Sequence, residues 1–95
     1  MRIISQDGKV DIPYDYFLLS MDSGKFSDGE IAIIYCRNLS SPDGTKLARY
    51  STKEKAIKAM EMLRKAWINE AIEFTHGIYH RNIIFQFPQD DEIEV

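Results

Sequence analysis

Few side chains in this sequence are placed to do chemistry, and most of them lie in its second half. Arg64 sits among Met60, Leu63, Trp67 and Ile68, and Lys53 points toward the same apolar arc when the stretch is drawn as a helix. A guanidinium in such surroundings has three readings. Its stem can lie on the core edge with the head in water. It can grip a phosphate or carboxylate from a pocket wall. It can also belong to a buried ion pair. Tyr79, His80, Arg81 and Asn82 follow directly and adjoin Phe85 and Phe87. Aromatic faces stack on bases, guanidinium groups hold phosphates, and an Asn amide can read a base edge. The candidate ligand-binding set is therefore Arg64, Tyr79, Arg81, Asn82, Phe85 and Lys53. Arg64 and Arg81 would contact phosphates, Tyr79 or Phe85 would stack, and Asn82 would read an edge. Each also has a plain reading: Tyr79 as a helix-end anchor, Arg81 as a solvated charge at a strand start. Arg37 and Arg49 read as solvated charges at strand ends.

The spacings that mark catalysis are weak. His76 and His80 are four apart, but Gly77 interrupts the helix that would align them, and no Cys or carboxylate cluster completes a metal site. Cys36 lies in an apolar run and reads as a small buried hydrophobe. No Ser has a base and an orienting partner. Asp90, Asp91, Glu92 and Glu94 lack the glycine and ligand order of a calcium loop. The glycines stand singly in turns, so no phosphate-binding loop is expected. The expectation is a protein that is not an enzyme, with no catalytic residue, metal or cofactor.

Composition bounds the rest. Ninety-five residues make one domain, and 44% hydrophobic with 28% charged residues are globular values. A net charge of −3 argues against general nucleic-acid binding, though not against a small anion in a local basic pocket. The single cysteine forbids an intrachain disulfide and fits a reducing compartment. No charged leader precedes an apolar run, and Ile31 to Cys36 is too short to span a membrane. A cytoplasmic protein, in a host cell under the resemblance given below, with no membrane partner is expected.

The element that must position these residues is a helix over 51–76. Ser51-Thr52-Lys53-Glu54 has the S-x-x-E form of a capping box, and Gly77 suits the position just past a helix end. Ala56, Met60, Leu63, Trp67, Ala71, Phe74 and Ile78 share a face, and Ile57, Ile68 and Ile72 widen it to about half the circumference. Before it, Met1 to Ser5 reads as a strand, Gln6 to Lys9 as a tight turn, and Val10 to Tyr14 as a second strand that is either an edge or interrupted at Pro13. Tyr16 to Met21 reads as a third strand, with turns at 22–25 and 27–29. Glu30 to Arg37 is the strongest strand, and its unbroken apolar run predicts burial on both faces. A loop over 38–45 precedes a strand over 46–50, with Leu47 and Arg49 on one face and Ala48 and Tyr50 on the other. A closing strand at 82–88 and a solvated, frayed acidic tail at 89–95 complete the chain.

The expected fold is α+β: a small antiparallel sheet of five or six strands over 1–50, one long helix in the C-terminal half, and a final strand. About 25 helical residues span roughly 37 Å, whereas five- or six-residue strands span about 17–20 Å. The half of the helix with Trp67, Ile68, Ile72 and Phe74 would overhang its sheet. Such a patch predicts a homo-oligomer, a dimer or higher, built on that half-helix. The alternative is a helix broken near Asn69 and folded back on its own sheet.

Three stretches carry a family likeness: Met1-Arg2-Ile3-Ile4-Ser5-Gln6-Asp7-Gly8 with Pro13-Tyr14, then Tyr50 to Arg64, and Phe85 to Val95. Together they resemble a group of small proteins encoded by phages and prophages of Gram-positive bacteria. Within that group the chain is similar to the anti-Thoeris sponge family, Thoeris anti-defence one. The resemblance implies an oligomer that sequesters cyclic ADP-ribose-type signals, or in some members cyclic oligonucleotides, without hydrolysing them, so that the host's immune effector is not activated. The candidate ligand residues rest on their side chains and not on this likeness. A module that docks a host or phage protein through the helix is the second expectation.

Overall fold

A computed structural model describes residues 1–14, 17–26, 29–38, 41–75 and 84–94, with backbone alone at 25, 26, 41, 42 and 70–75. The fold is α+β, as the residues predict, but the strands divide into two three-stranded sheets instead of one. The first has the order β2-β1-β6, with β1 Arg2–Ile4, β2 Asp11–Pro13 and β6 Ile84–Gln86. Here β1 and β2 are antiparallel around the turn at Asp7-Gly8, where Gly8 takes φ 78°, and β6 runs parallel to β1. Pro13 lies on the edge strand, where its missing N–H costs nothing. The second sheet has the order β3-β4-β5, all antiparallel, with β3 Leu18–Phe26, β4 Gly29–Asn38 and β5 Ser41–Tyr50. These strands of nine and ten residues absorb the turn expected at 22–25 and most of the loop expected over 38–45. Cross-strand pairing has overridden turn chemistry. Gly44 takes φ 86° where β5 bulges past β4, and a β-carbon added there would crowd the Arg37 side chain.

The central strand β4 alternates instead of being buried on both faces. Ala32, Ile34 and Cys36 are buried, whereas Ile31, Ile33 and Tyr35 on the other side are only half-buried. The helix α1, Lys53–Thr75, covers the inner side and runs unbroken through Asn69. Ala56, Ala59 and Leu63 are buried on it and meet Ala32 and Ala48, also buried. Alanine on both surfaces lets the axis come close to the sheet, and Leu63 fills the space beyond. Complete burial of such a leucine contributes about 1.5–3 kcal/mol. Cys36 is in this core, and burial pushes its thiol pKa up, which keeps it unreactive.

A second bulge alters the expected facing of β5. Ile34 pairs with Ala48 and Tyr35 with Lys46, so Leu47 is the extra residue. Leu47 and Ala48 are consequently both buried, while Arg49 is exposed. Gln6 joins the two sheets beside this bulge. Its N–H donates to the Leu47 carbonyl at 2.7 Å, and its Oε1 accepts from the Arg49 N–H at 3.0 Å. Its Nε2 donates to the Pro88 carbonyl at 3.1 Å, and its own carbonyl accepts from Gln89 Nε2 at 2.6 Å.

The segment after β6 is the largest departure from expectation. It is a clasp, not a frayed tail. Phe87 and Ile93 are buried in the core, and a single 3₁₀ turn at Asp90–Glu92 lies between them. The Tyr50 hydroxyl, buried and with its pKa raised by that burial, donates to the Pro88 carbonyl at 2.8 Å. Asp90 accepts from the Ser51 N–H at 2.7 Å and the Ser51 hydroxyl at 3.0 Å, with Lys55 Nζ 3.4 Å away. Charge made the segment look solvated, but its acids are used locally and its apolar residues are interleaved with them.

Candidate functional site

The entry to α1 is the first place where a ligand could sit, since helix N-termini attract anions. A cleft of about 360 Å³ opens there, lined by Glu30, Ile31, Arg49, Tyr50, Ser51 and Asp90. The chain has already filled most of the donors. Asp90 takes the Ser51 N–H, Glu30 Oε1 takes the Lys53 N–H at 2.6 Å, and Thr52 Oγ1 takes the Lys55 N–H at 3.2 Å. Thr52, not Ser51, is thus the capping residue. Ser51 is held by Asp90, the cap moves on by one, and the residue three further is Lys55, so the Ser51–Glu54 capping box does not form. Two carboxylates in place of open N–H groups make this cleft a poor phosphate seat.

The Ser51 N–H, helped by the Ser51 hydroxyl and Lys55, holds the Asp90 carboxyl below its ordinary pKa against the opposing effect of partial desolvation. A depressed folded-state pKa means that this contact stabilises the fold fully above the ordinary carboxylate value of about 4 and fades as the pH falls through the folded value. Urea midpoints of wild type and Asp90→Asn should therefore differ at pH 7 and converge below about pH 4. A gap that persists at acid pH would rule out this role.

The middle of α1 offers a better surface. Arg64 is exposed and has no ion pair among the described residues, which removes the buried-pair reading. Trp67 stands one turn further on, in the i,i+3 relation that brings helical side chains together. Its ring is 42% exposed and tilts at 36° against Tyr14, with centroids 6.3 Å apart. Tyr14 closes β2, so the indole is steadied by the small sheet yet stays partly exposed. Ile68, next to Trp67, is 48% exposed, and Ile57, two turns before Arg64, is 40% exposed. Of the overhang expected of the helix, Trp67 is partly met within the chain, by Tyr14, and Ile68 stays exposed.

Lys53 is exposed on the same flank, about 16 Å from Arg64 along the axis at 1.5 Å per residue, so the two cations cannot hold one phosphate. Phe85 is partly buried against the core and meets Phe87 edge-on at 5.3 Å and 86°. Its ring is committed to packing, and no hydrogen bond or ring contact among the described residues joins it to Lys53 or Arg64. Tyr79, Arg81 and Asn82, like His76 and His80, lie outside the described residues, as do the side chains of Ile72 and Phe74. Tyr14 was missed as a site residue. Its place after the edge-strand proline signals a strand end, but only the tertiary fold brings it under Trp67. No group of three metal-ligating side chains occurs among the described residues, and no described helix is long and apolar enough to cross a membrane. The chain matches no protein-family model, no curated protein and no solved structure.

Proposed function

We propose that this chain is a non-enzymatic counter-defence protein of phage origin that sequesters a cyclic nucleotide signal in the host cytoplasm. The ligand would be of the cyclic ADP-ribose type or a cyclic oligonucleotide, held where copies of the chain meet along the helix. The observation that carries this reading is the Arg64–Trp67 pair. A guanidinium with no ion pair among the described residues stands one turn from a partly exposed indole, and that is the chemistry that holds a phosphate and stacks a base. The family likeness supplies the ligand class. The exposed Ile68 beside Trp67 supports association through this part of the helix, which would enclose the ligand. Arg81, Tyr79 and Asn82 remain candidate contacts in the same reading.

Calorimetry with cyclic ADP-ribose isomers and cyclic tri-adenylate tests it. One of them should bind and be recovered unchanged after denaturation. Arg64→Ala should weaken binding by about 10- to 100-fold, the loss of a charge-assisted contact worth about 1.5–3 kcal/mol. No heat and no thermal shift with any of these ligands would remove the proposal.

A second reading has its own support. Ile57 and Ile68 are exposed along one flank of the helix, an arrangement that suits docking of a host or phage protein. Under it, a pull-down would retain a protein and no nucleotide, and Arg64→Ala would leave that capture largely intact.

A further inference from the structure

The outer face of the β3-β4-β5 sheet carries a pattern that the described residues leave unused. Ile31, Ile33 and Tyr35 alternate with the buried Ala32, Ile34 and Cys36, so they point away from the helix. None of the three packs against the core cluster. Strand register fixes what stands beside them. Ile33 lies between Asp22 on β3 and Arg49 on β5, Tyr35 lies between Ser20 and Lys46, and Arg37 pairs with Leu18, which is 70% exposed. The face therefore has an apolar spine, an acidic flank at Asp22 and a basic flank at Lys46 and Arg49. Arg37 lies over the Tyr35 ring at 5.9 Å and reaches toward Asp22 at 4.0 Å, which leaves Lys46 and Arg49 without an acidic partner among the described residues. A strand this apolar on both sides normally has both sides covered.

We propose that this face binds a second copy of the chain, with the two sheets stacked about a two-fold axis that runs parallel to the strands. Such an axis lays β3 of one copy over β5 of the other at the same height. Asp22 then meets the partner's Arg49, and by symmetry the contact forms twice. The Ile33 and Tyr35 spines face each other across the spacing of about 10 Å at which sheets stack. An axis across the strands would set Asp22 on Asp22 and Arg49 on Arg49, and like charges exclude it. The charge pattern thus selects both the occupant and the geometry. This surface lies on the opposite side of the sheet from α1, so it does not depend on the helix contact proposed above.

Sedimentation of the wild type and of charge-exchange variants at tens of micromolar decides the matter, with circular dichroism confirming that each variant is folded. The wild type should be a dimer. Arg49→Asp alone should weaken it about tenfold or more, as should Asp22→Arg alone, and the double exchange should restore it. Lys46→Glu offers a further single change on the basic flank should either variant fail to fold, and it should weaken the dimer too. Ile68→Glu, on the helix, should leave this dimer in place. A monomeric wild type would overturn the proposal. So would a dimer indifferent to the single exchanges, a double exchange that does not restore it, or a dimer lost with Ile68→Glu and not with Arg49→Asp.

Discussion

Phe87→Ala is expected to lower stability by about 3–5 kcal/mol, the usual result of removing a buried aromatic. Phe87 is 1% exposed and meets Phe85 edge-on, a geometry that contributes beyond area alone. It also anchors the clasp. Its N–H donates to the Ile4 carbonyl at 3.1 Å, and the next residue, Pro88, accepts from both Gln6 and Tyr50. Loss of the ring therefore loosens the point where both sheets and the C-terminal segment meet. A domain of this size has about 5–15 kcal/mol in total, so the variant should lose a large share of its stability. Urea denaturation followed by circular dichroism measures it. A loss below about 1 kcal/mol would mean that the segment after β6 is not held as described.

Leu63→Ala is the second large effect, at about 2–5 kcal/mol. Ala56 and Ala59 bring α1 close to the sheet but bury little area themselves. Leu63 is the one large side chain that the described part of the helix buries fully, since Met60 is half-buried and Trp67 is partly exposed. Its loss leaves a cavity in the core cluster where the helix would otherwise bury only alanines fully among its described residues. Because the helix docks through this residue, the variant should also release Trp67 from Tyr14 and shift the indole emission to the red. Lost stability with an unmoved emission maximum would separate Trp67 packing from helix docking and contradict this link.

Much of the fold was legible, and the reasons differ by element. The helix was plain because its formers run without Gly or Pro and its apolar residues recur at helical spacing. The edge position of β2 was one of the two readings that Pro13 allowed. What escaped notice depended on contacts distant in sequence. Asp90 takes Ser51 from 39 residues away, and that one contact moves the cap to Thr52. Asp22 to Lys25 has good turn composition, yet it is paired along its whole length with Ile31 to Ile33 and Glu30. The charges of 89–94 hid the alternation that buries Phe87 and Ile93. Of the candidate site, Arg64 was legible as a cation on an apolar helix, and Trp67 as part of that helix's wide face. The contact of Trp67 with Tyr14 was not, because it joins residues more than fifty positions apart, one on the helix and one beside the small sheet.

The two proposed contacts use different surfaces and have separable consequences. Helix-mediated association would enclose the Arg64–Trp67 pair, whereas the sheet contact would leave it open to solvent. A protein with both could form chains of copies, so that ligand uptake and assembly size would rise together only if the helix contact needs the ligand.

Trp67 is the only tryptophan in the sequence, so its emission reports on the proposed site without a label. The decisive measurement is a titration of the wild-type protein with cyclic ADP-ribose isomers and cyclic tri-adenylate, followed by indole fluorescence. The account predicts saturable quenching by one of them, shifted to higher concentration in Arg64→Ala at unchanged protein stability. Emission that none of these ligands alters would contradict it.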